Sequence, residues 1–175
     1  MAATAEWYED NGVATGSPAK GTTRTRLGGD NTRSDYGSID SPNVSRASAR
    51  IVAGENSFTK YRFVKFSGSF NEVSNCKIAH TDGTMPTGTK LMGQVTSTYA
   101  APSRSAMSGT DMSDVIAVAN GTPMQLSSTG PEGTPSAKVS FEGYTQYFVS
   151  QVQTQASAAA GDIGDKKITI QWNEN

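Results

Sequence analysis

The chain has 175 residues and a mass of 18.4 kDa, enough for one ordinary domain with little left for a second. Hydrophobic residues make up 35% and charged residues 18%, with 41 Ser and Thr, 18 Gly and a formal net charge of -1. This excludes a charge-rich disordered tail, a leucine-rich helical bundle (only Leu27, Leu91 and Leu126 occur) and a general nucleic-acid binder with its basic excess.

The single cysteine, Cys76, rules out an intrachain disulfide and a thiolate metal cage. No segment approaches the roughly 20 apolar residues of a membrane-spanning helix. The start Met1-Ala2-Ala3-Thr4-Ala5-Glu6 lacks the basic and apolar stretches of a secretory signal. A soluble protein made in the cytosol is expected.

Residues 11–57 are poor in large apolar side chains, with Gly, Ser, Thr, Asn, Asp and Arg between Val13, Leu27, Tyr36, Ile39, Val44, Ile51 and Val52. Such spacing buries too little surface to offset chain entropy without a second surface. Five of the seven arginines fall here: Arg24, Arg26, Arg33, Arg46 and Arg50. Residues 1–57 therefore read as an extended N-terminal arm, anchored by the aromatic pair Trp7-Tyr8 and carrying its arginines to an acidic partner surface.

From residue 58 the apolar period changes to 2. Lys60-Tyr61-Arg62-Phe63-Val64-Lys65-Phe66 reads as a strand with aromatics inward and cations outward. The change of step between Phe63 and Val64 marks either a bulge or a strand buried on both faces. Residues 75–81 form a second strand with Cys76, Ile78 and His80 on one side, and Asp82-Gly83 turns the chain. Leu91, Gly93, Val95, Ser97 and Tyr99 share one face of a half-polar strand. Residues 100–114 are a small-residue loop, and 114–119 are a short strand or one helical turn. Tyr144 to Thr154 and Lys167 to Trp172 are strands, read as antiparallel neighbours joined by the small residues of 156–164. Six or seven short strands without a convincing helix predict an all-β fold, an antiparallel β-sandwich or jelly-roll-like domain over 58–175.

Little in this chain looks like chemistry. Gly83-Thr84-Met85-Pro86-Thr87-Gly88-Thr89-Lys90 has Thr before Lys and a strand after it, the wrong order for a phosphate-binding loop. His80 is the only histidine, and two strand steps separate it from Cys76, too far for a direct nucleophile–base pair. Cys76 is expected in the core and His80 at a strand end on the surface. Asp162 and Asp165 are too few for a calcium loop and suit turn chemistry. Asn43-Val44-Ser45 and Asn120-Gly121-Thr122 match the glycosylation pattern, which has no consequence without a secretory route. The cation–aromatic stretch 60–66 resembles a single-strand nucleic-acid platform in composition, but the acidic balance favours an ordinary sheet strand.

Trp7-Tyr8, Asn56-Ser57-Phe58-Thr59-Lys60-Tyr61, Lys65-Phe66-Ser67-Gly68-Ser69-Phe70-Asn71, Gly143-Tyr144-Thr145-Gln146-Tyr147 and Ile168-Thr169-Ile170-Gln171-Trp172-Asn173-Glu174 form a group. In this texture the chain resembles small virion structural proteins of tailed bacteriophages, of the capsid cement or decoration type. The resemblance implies a β-sandwich that oligomerises, often as a trimer, over gaps between subunits of the major capsid protein, and extended arms that reach neighbours. It implies a virion assembled in the host bacterial cytoplasm; the single His and Cys, the acidic balance and the lack of a long apolar segment point to no catalysis, cofactor, metal, nucleic acid or membrane. Trp7, Tyr8, Arg24, Arg26, Arg33, Arg46 and Arg50 are the residues expected to meet the partner. A neck, collar or tail protein of the same particle shares this logic. A carbohydrate- or receptor-binding sandwich and an enzyme fit less well.

Overall fold

The computed structural model describes residues 2–28, 34–45, 47–114, 123–161 and 163–175. Among them the chain is all-β, with strands β1 (Ala3–Thr15), β2 (Lys20–Arg26), β3 (Lys60–Gly68), β4 (Val73–Asp82), β5 (Thr89–Thr96), β6 (Thr110–Asp111), β7 (Leu126–Ser127), β8 (Lys138–Val139), β9 (Gly143–Thr145), β10 (Tyr147–Thr154) and β11 (Lys167–Glu174). The large sheet runs β2-β1-β3-β10-β5-β6, with β9 pairing β3 and β7, and the small sheet runs β11-β4-β8. All pairings are antiparallel.

The large sheet is built on β3, which is buried on both faces. Residues 60–64 alternate without a bulge, and the register with β1 is unbroken from Ala3↔Gly68 to Asp10↔Tyr61. Val64 and Phe66, with Phe148 and Val152 of β10 and Leu91 of β5, pack against Val73, Cys76 and Ile78 of β4 and Trp172 of β11. Phe66 meets Trp172 edge-on at 5.3 Å between ring centres. This intersheet layer is the main core, and each large apolar side chain in it contributes on the order of 1.5–3 kcal/mol. On the opposite face Tyr61, Phe63, Tyr147 and Val149 form a second cluster, covered by Tyr99 and Met107 rather than by a sheet. Gly93 on β5 has no space for a side chain, because a Cβ there would strike the Met112 sulfur and come within 3.0 Å of the Phe148 ring.

The N-terminal segment differs from the arm expected of it. Ala3–Arg26 is a hairpin inside the large sheet, and β1 lies between β2 and the buried strand β3. Gly12, at φ 85°, sits where the hairpin register shifts between Asn11 and Ala14. Residues 34–45 and 47–57 do lie outside the regular strands, as a coil laid over the sheet; Ser57 N–H donates to Val152 O and Phe58 N–H to Gly37 O, both at 2.9 Å. The physical reason is polar. Charged and hydroxyl groups hold this segment down where apolar residues are scarce.

Three further expectations are corrected. β10 and β11 are not neighbours: β10 pairs with β3 and β5, and β11 crosses to the other sheet to pair with β4. Lys60 and Arg62 do not face outward but are buried, at 0% and 5% exposure. His80 is fully buried as well, not a surface residue, while Cys76 is the core residue expected. The expected strand or turn at 114–119 lies almost wholly outside the described residues, as does the Asn120-Gly121-Thr122 match.

Candidate functional site

Two charged networks grow from the adjacent acids Glu9 and Asp10, which a strand's alternation sends to opposite faces of the sheet. Pairing puts Glu9 across from Arg62 and Asp10 across from Tyr61. On the core side, Lys60 Nζ lies 3.0 Å from Glu9 Oε1, with neither side chain exposed, and Arg62 Nε lies 3.8 Å from Glu9 Oε2. Asn11 Nδ2 donates to the same carboxylate at 2.8 Å, and the Ser34 hydroxyl donates to its other oxygen.

The 34–41 coil closes over these groups. Ser41 O accepts from Lys60 Nζ at 2.8 Å, and Tyr36 OH accepts from Arg62 Nη1 at 2.8 Å. The Arg62 guanidinium also stacks 4.6 Å from the Tyr36 ring centre. Asp40 accepts from Asn11 Nδ2 and the Gly12 N–H at 2.7 and 2.8 Å. Burial opposes charge on Glu9, but Lys60 and Arg62, with the hydrogen bonds from Ser34 and Asn11, outweigh it and hold the carboxyl below its ordinary value. Burial lowers the Lys60 ammonium from its ordinary value, because Glu9 only partly offsets it and Arg62 repels it.

On the other face, Arg24 grips Asp10 with two parallel bonds of 2.8 Å, and Tyr147 OH donates to Asp10 at 2.7 Å. Arg24 reaches Glu132 at 3.3 Å and lies over the Phe63 ring, 4.6 Å from its centre. Burial and the Asp10 carboxylate both push the Tyr147 phenol well above its ordinary value.

The reactive-looking residues are committed elsewhere. Both ring nitrogens of His80 face backbone carbonyls, Nδ1 to Met112 O at 2.8 Å and Nε2 to Asp82 O at 2.7 Å. Burial pushes the Cys76 thiol up to about 12. Among the described residues no group of three or more His, Cys, Asp or Glu is placed to hold a metal ion, and no helix is long and apolar enough to cross a membrane.

A cleft of about 1230 Å³ opens between described residues of 34–36, 44 and 47–53, the end of β10, and residues 158–161 and 163–168. Trp7, Tyr36, Ile51, Val152 and Ile168 give it apolar walls, and Arg62 lines it. Among the described residues, Arg62 Nη2 is buried without a hydrogen-bond partner.

The residues expected to meet a partner are dispersed. Trp7 and Arg50 line the cleft, Arg50 at an exposed position. Tyr8 stacks on Phe63 at 5.4 Å, Arg24 is spent on Asp10, and Arg26 pairs with Glu6 at 2.6 Å. Arg33 and Arg46 lie outside the described residues, as does Asp162. Sequence reasoning does not find the Glu9–Lys60–Arg62 cluster. Its signal in the sequence is the alternation of cations with aromatics over 60–66, which becomes a buried charge only once Glu9 is known to pair opposite.

Comparison with protein-family models, with curated proteins and with solved structures finds no match for this chain. The class defined by the structure alone is an all-β protein of two antiparallel sheets packed as a sandwich, braced by buried charge.

Proposed function

We propose that this chain is a structural subunit of a tailed-bacteriophage particle, of the cement or decoration type, bound to the major capsid protein. The observation that carries this reading is the brace itself. The groups that chemistry would draw on are tied to partners within the chain: Glu9 to Lys60 and Arg62, Asp10 to Arg24, and His80 to two carbonyls. Such buried networks favour one pairing of strands over others, because a strand shifted out of register would leave a charge uncompensated. They suit a rigid piece in a repeated lattice, where modest contacts multiply through avidity. The resemblance in the Trp7-Tyr8, 56–71, 143–147 and 168–174 stretches supplies the particle. Arg24, Arg26 and Arg50 are all exposed, with Arg24 engaged on Asp10 and Arg26 on Glu6.

The test is to add purified protein to capsid shells assembled without it and to image the result. Saturable decoration across the shell is expected. Binding confined to one ring at the portal or tail would assign the protein to the neck or tail instead. No binding to any part of the particle would sink the reading.

A further inference from the structure

Asn11 shares one face of the large sheet with Glu9, Lys60 and Arg62. Glu9 and Asn11 stand two residues apart on β1, as Lys60 and Arg62 do on β3. The register between these strands ends at Asp10↔Tyr61, and the next step of the same antiparallel pairing sets Asn11 opposite Lys60. Side chains opposed in this way start about 5 Å apart at Cβ. Both residues are buried, so water has little access to either.

The two side chains meet on one oxygen. Glu9 Oε1 accepts from Lys60 Nζ at 3.0 Å and from Asn11 Nδ2 at 2.8 Å, which brings an amine and a carboxamide nitrogen to the same carboxylate. Asn11 Nδ2 also donates to Asp40 at 2.7 Å. Among the described residues, Asn11 Oδ1 is buried without a hydrogen-bond partner. A buried asparagine with a purely structural task normally has its carbonyl paired as well. Here the amide is held by its nitrogen alone.

We propose that Lys60 and Asn11 join in an isopeptide bond within the folded chain, with Glu9 moving the protons. Lys60 Nζ passes a proton to Glu9 and adds, as a neutral amine, to Asn11 Cγ. The Cγ–Nδ2 bond then breaks. Of the ammonium hydrogens Nζ keeps one, and the others pass through Glu9 to Nδ2, which leaves as ammonium. Glu9 ends as the carboxylate it began as, and the step needs no oxidant or reductant. Burial favours it, since it lowers the Lys60 ammonium from its ordinary value while Glu9 stays ionised and able to accept. Arg62 Nε, 3.8 Å from Glu9, brings positive charge to the cluster in which Oδ1 turns negative as the nitrogen adds. The reactants sit on paired strands, so folding itself supplies their proximity. The bond ties β1 to β3 and closes the segment 11–60 into a covalent loop. It restricts the unfolded chain as a disulfide does, in a protein whose single cysteine cannot make one within the chain. The inference stands on this cluster alone and does not depend on the shell role.

Mass spectrometry of the full chain, denatured after folding, tests it. The wild type is expected to weigh one ammonia less than its sequence, with or without Met1. Trypsin should release Met1–Lys20 and Ile51–Arg62 as one branched peptide, uncut after Lys60. Glu9→Gln and Asn11→Ala should each keep their full sequence mass and be cut after Lys60. A wild type at full mass would overturn the proposal. So would a loss of water, which puts the link on Glu9 or Asp40, or a loss of ammonia without the branched peptide, which marks closure of Asn11 onto the Gly12 nitrogen. Loss of ammonia by either variant would overturn it too.

Discussion

Glu9 answers to two cations, and that asymmetry sets what its removal does. Replacing one partner of a buried pair leaves the other charge uncompensated, at a cost of roughly 3–5 kcal/mol. Glu9→Leu strands both Lys60 and Arg62, whereas Lys60→Met leaves Glu9 still facing Arg62. Urea denaturation should therefore show the Glu9 variant as the less stable of the two. The pH dependence follows from the same contacts. The folded carboxyl of Glu9 is held below its ordinary value of 4.5, so its contribution is fully present above that pH and is lost as pH falls through the folded value. Thermal unfolding should show an acid limb below about pH 4.5 that is shallower in Glu9→Gln. Cys76 makes a kinetic prediction: buried, with its thiol raised to about 12, it should react with a thiol reagent only as fast as the protein unfolds. Labelling of the native protein at the rate of a free thiol would contradict the packing described.

The N-terminal hairpin is the element on which sequence and structure part most clearly. β3, β4 and β11 are legible from their alternation, which also puts Cys76, Ile78 and His80 on one face of β4, the buried one. β1 is not, because Glu9-Asp10-Asn11 looks like solvent-exposed loop until Lys60, Arg62 and Arg24 are set around it. Those partners lie up to 53 residues away (Glu9 to Arg62), beyond any local pattern. The same limit applies to β10 and β11: each was legible as a strand, but nothing local states that the segment between them changes sheet. The cations of β3 were likewise legible as residues and not as buried ones. Deleting residues 2–28 separates the two views. An arm would leave a folded remainder, but the removal of β1 strips the β3 edge and uncovers Lys60 and Arg62, so the truncated chain is expected to show no cooperative unfolding transition by calorimetry.

For the whole molecule, the division between interior and surface charge predicts two different responses to salt. The Glu9–Lys60 pair and the Asp10 carboxylate are removed from solvent and are screened little. Thermal stability at neutral pH should change little from low to high salt. Attachment to an acidic shell through exposed Arg26 and Arg50 would weaken over the same range. Measuring both on one preparation separates the charges that build the protein from those that face outward. A melting temperature that falls steeply with salt would show that exposed pairs such as Arg26–Glu6 hold the fold instead.

The two tryptophans have different surroundings, with Trp7 in the cleft wall and Trp172 packed edge-on against Phe66. Trp7→Phe and Trp172→Phe would resolve the emission into two signals, one from the cleft wall and one from the core, so that an event in the cleft is read optically without attaching a label.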